Sequence, residues 1–118
     1  MSTTNATTKA IIDFLNFRGH WAWRVNTQGV FDPRTKRFRK IPKESRGIGD
    51  VVCCLRPGGV HLEVEVKTGK DRQSVDQINH QNKVERSGGI YLIAHDFDHF
   101  FPLYQSIIMP RLRKETHA

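Results

Sequence analysis

Apolar positions near the start of the chain change from a helical to a strand-like period. The period over residues 8–18 predicts an amphipathic helix that ends at Gly19. The next stretch, HWAWRVN, alternates between two faces and predicts a strand. Trp21 and Trp23 share one face of that strand, and we expect them to pack in the core; stacking on nucleic-acid bases is the alternative role.

Two further apolar runs, DVVCCLR and GVHLEVEVK, flank Pro57 and Gly58 and predict a β-hairpin. Proline followed by glycine suits the two central positions of a tight turn. That turn sets a register in which Asp50 lies directly opposite Glu65. Cross-strand partners on one face have Cβ atoms ~4.5–5.5 Å apart, so we expect the two carboxylates to converge.

The converging carboxylates predict a site for a hard divalent cation. A two-residue period places Glu63, Glu65 and Lys67 on the same strand face. Carboxylates that face each other repel unless a cation lies between them, and Mg2+ takes oxygen ligands of this kind. In such a site Lys67 is suited to orient a water or to stabilise charge on a phosphate. The alternative is an exposed strand face on which glutamate and lysine are simply solvated.

The remaining pattern completes an α/β arrangement. A capping box formed by Ser74 and Gln77 predicts a helix that runs to Ser87. The apolar run IYLIAH predicts a strand that is covered on both faces. The last segment predicts an acidic cap, HDFDH, followed by one helix broken at Pro102 or Pro110; metal binding by HDFDH is the alternative. The order helix, strands, helix, strand, helix predicts an α/β fold with a mixed sheet.

Length and composition bound the organisation of the chain. Its 118 residues, 37% of them hydrophobic, suffice for one domain with a modest core. We assign the domain to residues 8–110, between a mobile N-terminal tail over 1–7 and a basic C-terminal tail over 111–118. The sequence lacks a run suited to a membrane span or a secretory signal, so we expect a soluble cytoplasmic protein. Cys53 and Cys54 are adjacent and are expected to stay reduced.

Basic residues outnumber acidic ones, 19 to 12, and the net charge of +7 indicates a polyanionic partner; a charge that merely keeps a small protein soluble is the alternative. Seven lysines and arginines crowd the stretch just before Asp50, where they predict an arm that tracks a nucleic-acid backbone; a mobile solvated loop is the alternative. The candidate DNA-binding residues of this arm are Arg34, Lys36, Arg37, Arg39, Lys40, Lys43 and Arg46. Further DNA-binding candidates outside the arm are Arg24, Asn26, Lys70 and Arg72.

Several motifs together resemble a known nuclease family. Asp50, followed fifteen residues later by Glu65-Val66-Lys67, resembles the D…(D/E)-x-K signature of the PD-(D/E)XK nuclease superfamily. The surrounding segments WRVNTQGV, GIGDVV, LEVEVKTGK and GGIYLIAH are similar to the virus-type replication-repair nuclease (VRR-NUC) domain, in the small stand-alone form found in phages and bacteria. The similarity spans about residues 8–100, which is nearly the whole chain.

The resemblance implies a restriction-endonuclease-like core, a mixed β-sheet flanked by helices in the order αβββαβ. It also implies a Mg2+ or Mn2+ cofactor and hydrolysis of phosphodiester bonds. In that pattern Asp50 and Glu65 are metal ligands, and the backbone carbonyl of Val66 is a third. Lys67 is the catalytic lysine, and Gln77 is the helix glutamine near the site.

One departure from the family concerns the first helix. Relatives often carry a glutamate there that approaches the metal, whereas this helix offers only Asp13, so the number of metal ions stays open. The resemblance further suggests a homodimer, as in junction-resolving enzymes that cut two strands symmetrically.

The expected function is therefore that of a Mg2+-dependent DNA endonuclease. We expect it to be structure-selective on branched DNA, such as four-way (Holliday) junctions or flaps, in phage or bacterial DNA replication and repair. A small-molecule substrate and a membrane partner are not expected. The alternatives are a non-catalytic DNA-binding module of the same fold and an RNA nuclease.

Overall fold

A four-stranded mixed sheet with helices on both faces forms the body of the protein. The computed structural model describes residues 3–25, 30–39 and 47–116. Its elements in chain order are α1 (Thr3–Phe17), β1 (Trp21–Arg24), β2 (Val30–Asp32), β3 (Arg37–Arg39), β4 (Val51–Leu55), β5 (Val60–Val66), α2 (Val75–Arg86), β6 (Ile90–Ala94), α3 (Phe97–Leu103), a π-helical turn (Tyr104–Ile108) and α4 (Met109–Thr116). The main sheet has the strand order β1-β4-β5-β6, and β2 and β3 pair separately.

The β4–β5 hairpin has the register that the sequence predicts. Val51 lies opposite Val64, and Leu55 lies opposite Val60. Continued by one residue, this register places Asp50 opposite Glu65. β1 runs antiparallel to β4, and β6 runs parallel to β5. The sheet is therefore mixed, and the short βαβ unit formed by β5, α2 and β6 supplies its parallel pair.

The two faces of the sheet are covered differently. On one face, α1 and α3 bury the main hydrophobic core through Ile11, Leu15 and Phe100. The strand residues of this core are Ala22, Val51, Cys53, Leu55, Val60, Leu62, Val64, Val66, Ile90, Leu92 and Ala94. On the opposite face, α2 packs against β6 and donates hydrogen bonds to glutamates of β5. The predicted αβββαβ core is confirmed, with the β2–β3 hairpin inserted after its first strand.

The helices at the two ends of the chain differ from the prediction. α1 begins at Thr3, whereas the sequence predicted a start at about residue 8. The prediction was late because the first turn of the helix is polar and lacks the apolar period that indicates a helix. Near the C-terminus, a π-helical turn joins α3 to α4, so the helix is not broken at Pro102 or Pro110. A widened turn is one way to accommodate a proline, which has no backbone N–H to donate. Residues 111–116, predicted as a tail, belong to α4.

The prediction that Trp21 and Trp23 pack in the core is wrong. These residues are 61% and 39% exposed, and Ala22 between them enters the core instead. In the described sheet β1 is an edge strand, paired with β4 on one side. Alternation separates the two faces of a strand but does not say which face is inside, and the prediction assigned the larger side chains to the wrong one.

Other sequence expectations are met locally. Ser74 caps α2 and forms the complete capping box with Gln77. Cys53 and Cys54 are both free thiols. Residues 30–39 of the basic arm form the β2–β3 hairpin. Within residues 3–25, 30–39 and 47–116, the helices are all too short or too polar to cross a membrane.

Candidate active site

Four strand ends meet at one edge of the main sheet, and the predicted catalytic residues lie there. The C-terminal ends of β1, β5 and β6 and the N-terminal end of β4 share this edge because of the strand directions. The Val25 N–H donates to the Asp50 carbonyl at 3.0 Å, and the Lys67 N–H donates to the Ala94 carbonyl at 2.9 Å. These bonds extend the sheet to the residues that carry the candidate chemistry.

Asp50 is held at the end of β5 by its side chain. Its Oδ2 accepts a hydrogen bond from the Val66 N–H at 2.7 Å. The preceding loop passes tightly between β5 and α2, since a Cβ at Gly49 would lie 2.9 Å from the Val64 carbonyl oxygen. At Gly47, where φ is +84°, a Cβ would collide with the backbone of Asp76. The two glycines therefore allow the loop to bring Asp50 up to the strand.

Glu65 is nearly buried and faces like charge. It is only 6% exposed. Burial raises the pKa of Glu65 to about 7, with a further contribution from the neighbouring Asp50 carboxylate, and Lys67 offsets part of this rise. The Lys67 Nζ lies 3.7 Å from the Glu65 Oε1. The predicted convergence of Asp50 and Glu65 is thus present, and their mutual repulsion disfavours the charged pair.

Gln77 orients Glu65 from the start of α2. Its side-chain oxygen accepts from the Ser74 N–H at 2.8 Å, as the capping box requires. This leaves the side-chain Nε2 to donate to the Glu65 Oε1 at 2.9 Å. One glutamine therefore completes the helix cap and supports the carboxylate, which is why a local capping signal coincides with a site residue.

The oxygen atoms at this edge are suitable ligands for a hard cation. Two carboxylates meet beside the backbone of Val66, and Mg2+ is commonly bound by one or two protein carboxylates with several waters retained. Among the residues that the structure describes, groups of three or more His, Cys, Asp or Glu arranged for a metal ion are not found.

Asp13 is the acidic residue that the first helix offers in place of the family's glutamate. It is exposed and accepts a hydrogen bond from the Lys9 Nζ at 2.7 Å, so it lies in an ion pair on the outside of α1.

Glu63 is buried, so the alternative of a solvated glutamate on an exposed strand face does not apply to it. It is 2% exposed and accepts from the Gly49 N–H at 3.0 Å, from the His80 Nε2 at 2.8 Å and from the His61 Nε2 at 2.6 Å. Burial alone would raise the pKa of Glu63, but these hydrogen bonds outweigh it and hold that pKa below the ordinary value. Glu63 thus joins the Asp50 loop, β5 and α2.

The sequence contains a signal for these histidines that was missed. His61 precedes Glu63 by two residues and so shares its strand face. His80 follows Gln77 by three residues and so shares its helix face. Once Gln77 is placed over β5, His80 must approach the same strand one turn later.

A pair of stacked histidines, His95 and His99, lies next to the backbone of Lys67. The His95 Nδ1 donates to the Lys67 carbonyl at 2.8 Å, and the ring stacks on that of His99 with centroids 4.9 Å apart. Asp96 caps α3 by accepting from the His99 N–H at 2.7 Å, as the sequence predicts for this acidic segment. The cap therefore fixes the turn that supports the backbone of Lys67.

The candidate DNA-binding residues fall into four groups. Arg24 donates to the Asn5 side chain at 3.0 Å and, with Lys9 and Ile12, lines a groove of about 450 Å³. The exposed residues are Arg34, Lys36 and Arg37 on the hairpin and Lys70 and Arg72 between β5 and α2. Arg39 is placed by its backbone in β3. The remaining candidates, Asn26, Lys40, Lys43 and Arg46, lie outside the described residues.

Comparison with solved structures supports the fold. A solved VRR_NUC domain has a TM-score of 0.64 to this chain at 16% sequence identity, and the match covers 91% of this chain and 99% of that domain. No family model and no curated protein matches the sequence. The chain therefore has the fold of a VRR_NUC domain, which confirms the fold that the sequence motifs predict.

Proposed function

We propose that the protein is a divalent-metal-dependent nuclease that hydrolyses phosphodiester bonds in DNA. The observation that carries this proposal is the convergence of Asp50, Glu65 and Lys67 at one edge of a VRR_NUC-like sheet. Two carboxylates side by side, one of them buried, are unfavourable in a protein that has no cation to place between them. A net charge of +7 supports a nucleic acid as the partner.

Each site residue has a distinct proposed role. Asp50, Glu65 and the backbone carbonyl of Val66 would hold Mg2+ or Mn2+. When bound, such an ion lowers the pKa of a water and offsets negative charge on the phosphate. The Lys67 ammonium, whose side chain is 16% exposed, orients the attacking water and donates to a phosphate oxygen. Gln77 keeps the Glu65 carboxylate turned towards Asp50.

The substrate we propose is branched DNA, such as a four-way junction or a flap. Exposed basic residues on the β2–β3 hairpin supply contacts to the phosphate backbone, which bind without reading sequence. A homodimer would present two such sites to two strands of one junction, in a cytoplasmic replication or repair process.

A cleavage assay tests the proposal. Purified protein is incubated with matched four-way junction, flap, duplex and single-stranded DNA in Mg2+, Mn2+ or EDTA. Asp50→Ala and Lys67→Ala are compared with Lys114→Ala, an exposed basic control on α4. This control is suitable because α4 reaches the β4–β5 turn, at the end of the sheet opposite the carboxylates.

The outcomes separate an enzyme from a binding module. We expect metal-dependent cleavage that is lost in Asp50→Ala and Lys67→Ala and retained in Lys114→Ala. Binding of DNA without cleavage by the wild type in either metal would instead identify a non-catalytic module of the same fold. Cleavage of a matched RNA in preference to DNA would identify an RNA nuclease.

A further inference from the structure

We propose that Trp21 and Trp23 form a stacking platform for unpaired nucleobases next to the phosphate that is cut. This inference rests on the proposed nuclease function and deepens it, because it names the feature of the substrate that the site selects. It comes from the observation that both indole rings are exposed, where the sequence favoured burial.

The platform shares a sheet face with the candidate active site. The register pairs Trp23 with Val52 and Val52 with Glu63, so these side chains form one row across the sheet. Asp50 and Glu65 form the next row of the same face. Strand geometry puts the Cα atoms of Trp23 and Asp50 about 8 Å apart, one strand across and two residues along. A nucleotide that flanks a phosphate at Asp50 is therefore within reach of the indole of Trp23.

The tryptophan half of this face is more exposed than the other half. α2 lies over the β5 side, where His80 contacts Glu63 and its ring approaches that of Tyr91 at 6.2 Å. Over β1, the Trp21 and Trp23 rings lie side by side, with centroids 4.9 Å apart and planes at 44°. Two adjacent exposed tryptophans form an apolar surface of the kind that marks a binding site.

Unpaired bases are the occupant that agrees best with the surroundings. The site beside the platform is proposed to hold a phosphate, and the chain carries a charge of +7 that favours a polyanion. A nucleic-acid strand supplies a phosphate for the site and a flat base for the indoles, and such stacking tolerates any base. Duplex DNA keeps its bases stacked inside the helix. The platform therefore favours substrates with unpaired nucleotides beside the cut, as at a flap or a branch point.

Intrinsic fluorescence offers a direct test, since Trp21 and Trp23 are the two tryptophans of the chain. The full-length protein is titrated in EDTA with single-stranded oligothymidylate, and an abasic oligonucleotide of the same length is the matched control. We expect saturable quenching by oligothymidylate and binding without quenching by the abasic strand. The readout needs no cleavage and no metal.

Variants extend the test to affinity, measured by anisotropy of a labelled strand. Trp21→Ala and Trp23→Ala should each weaken binding of oligothymidylate by about tenfold, while affinity for blunt duplex stays unchanged. Trp23→Tyr keeps an aromatic ring and should retain most of the affinity. Both positions are exposed, and circular dichroism with thermal melting confirms that each variant folds.

Three results would overturn the inference. The first is saturable binding of oligothymidylate by the wild type without quenching of its tryptophan fluorescence. The second is equal loss of affinity for duplex and single strand in Trp23→Ala. The third is a dimer of the wild type that Trp21→Ala or Trp23→Ala converts to monomer in sedimentation, with unchanged DNA affinity, since a second copy of the chain would then cover the rings.

Failure of the nuclease proposal has a different signature. A wild type that quenches with oligothymidylate but cleaves nothing in Mg2+ or Mn2+ would remove the enzymatic claim and leave the platform as a binding surface. A wild type that cleaves, with Trp23→Ala showing the same preference among flap, junction and duplex, would leave the nuclease in place and remove the platform.

Discussion

Glu63 and Glu65 lie two residues apart on one face of β5, and both are buried. Their surroundings nevertheless shift the pKa values of the two carboxyl groups in opposite directions. Glu63 accepts hydrogen bonds from Gly49, His61 and His80, and its pKa is lowered. Glu65 faces the Asp50 carboxylate, and burial and that repulsion raise its pKa to about 7. The difference distinguishes a carboxylate that holds the fold together from the one to which the proposed mechanism assigns the metal.

The comparison implies opposite dependences of stability on pH. The lowered pKa of Glu63 means that its stabilising contribution is present above the unfolded-state pKa and is lost as the pH falls through the folded value. The raised pKa of Glu65 means that its contribution is present below 4.5 and is lost as the pH rises through about 7. At neutral pH and above, the charge on Glu63 therefore stabilises the metal-free fold, and the charge on Glu65 destabilises it.

The largest expected effect is on catalysis. Lys67→Ala removes the ammonium beside Glu65 and should lower the single-turnover cleavage rate by roughly 100- to 1000-fold, because a positioned donor to the reacting phosphate is lost. DNA affinity in EDTA should change little. Lys114→Ala, with the same loss of charge, should cleave at the wild-type rate. Equal rates for the two variants would argue against a catalytic role for Lys67.

The next effect is on stability. Glu63→Ala leaves the donors on Gly49 and His80 without their buried acceptor, so the free energy of unfolding should fall by about 3 kcal/mol. Urea denaturation near neutral pH measures this change. Glu85→Ala, at an exposed position on α2, is the matched control and should be close to neutral. A Glu63→Ala protein as stable as this control would show that the network contributes nothing to the fold.

Glu65→Gln should have the opposite effect on stability. In EDTA at about pH 8 the variant should melt roughly 5 °C or more above the wild type, since it no longer buries a charge beside Asp50. The difference should shrink as the pH falls from 7 and vanish below 4.5, where Glu65 of the wild type is protonated in both the folded and the unfolded state. Saturating Mg2+ should raise the melting temperature of the wild type and leave that of the variant unchanged. A wild type that melts above the variant in EDTA at about pH 8 would contradict this account.

The smallest effect concerns the support of Glu65 by α2. Ser74→Ala removes the hydroxyl that accepts from the Gln77 N–H at the start of α2, which should cost about 1 kcal/mol of stability. It should also lower the cleavage rate, though by less than Lys67→Ala does. Ser87→Ala is the matched control at the other end of α2, where the hydroxyl donates to the Lys83 carbonyl. Equal cleavage by the two serine variants would mean that the cap does not orient the site.

Local chemistry in the sequence determined much of the candidate site. The turn at Pro57 and Gly58 and the two-residue period of the strands predicted that Asp50 and Glu65 face each other, and the structure has that register. Ser74 and Gln77 predicted the start of α2. Each of these features depends on residues that are close in sequence, so turn geometry and side-chain period were enough to predict them.

Only the tertiary structure decided which of these residues are buried and what the buried charges contact. Trp21 and Trp23 are exposed because the face of β1 that packs on the core is that of Ala22. Glu63 links β5 to α2 because α2 places His80 within hydrogen-bonding distance of the Glu63 carboxylate. Burial and pairing of this kind depend on which element packs on each face, and the alternation along one strand is the same whichever face is covered.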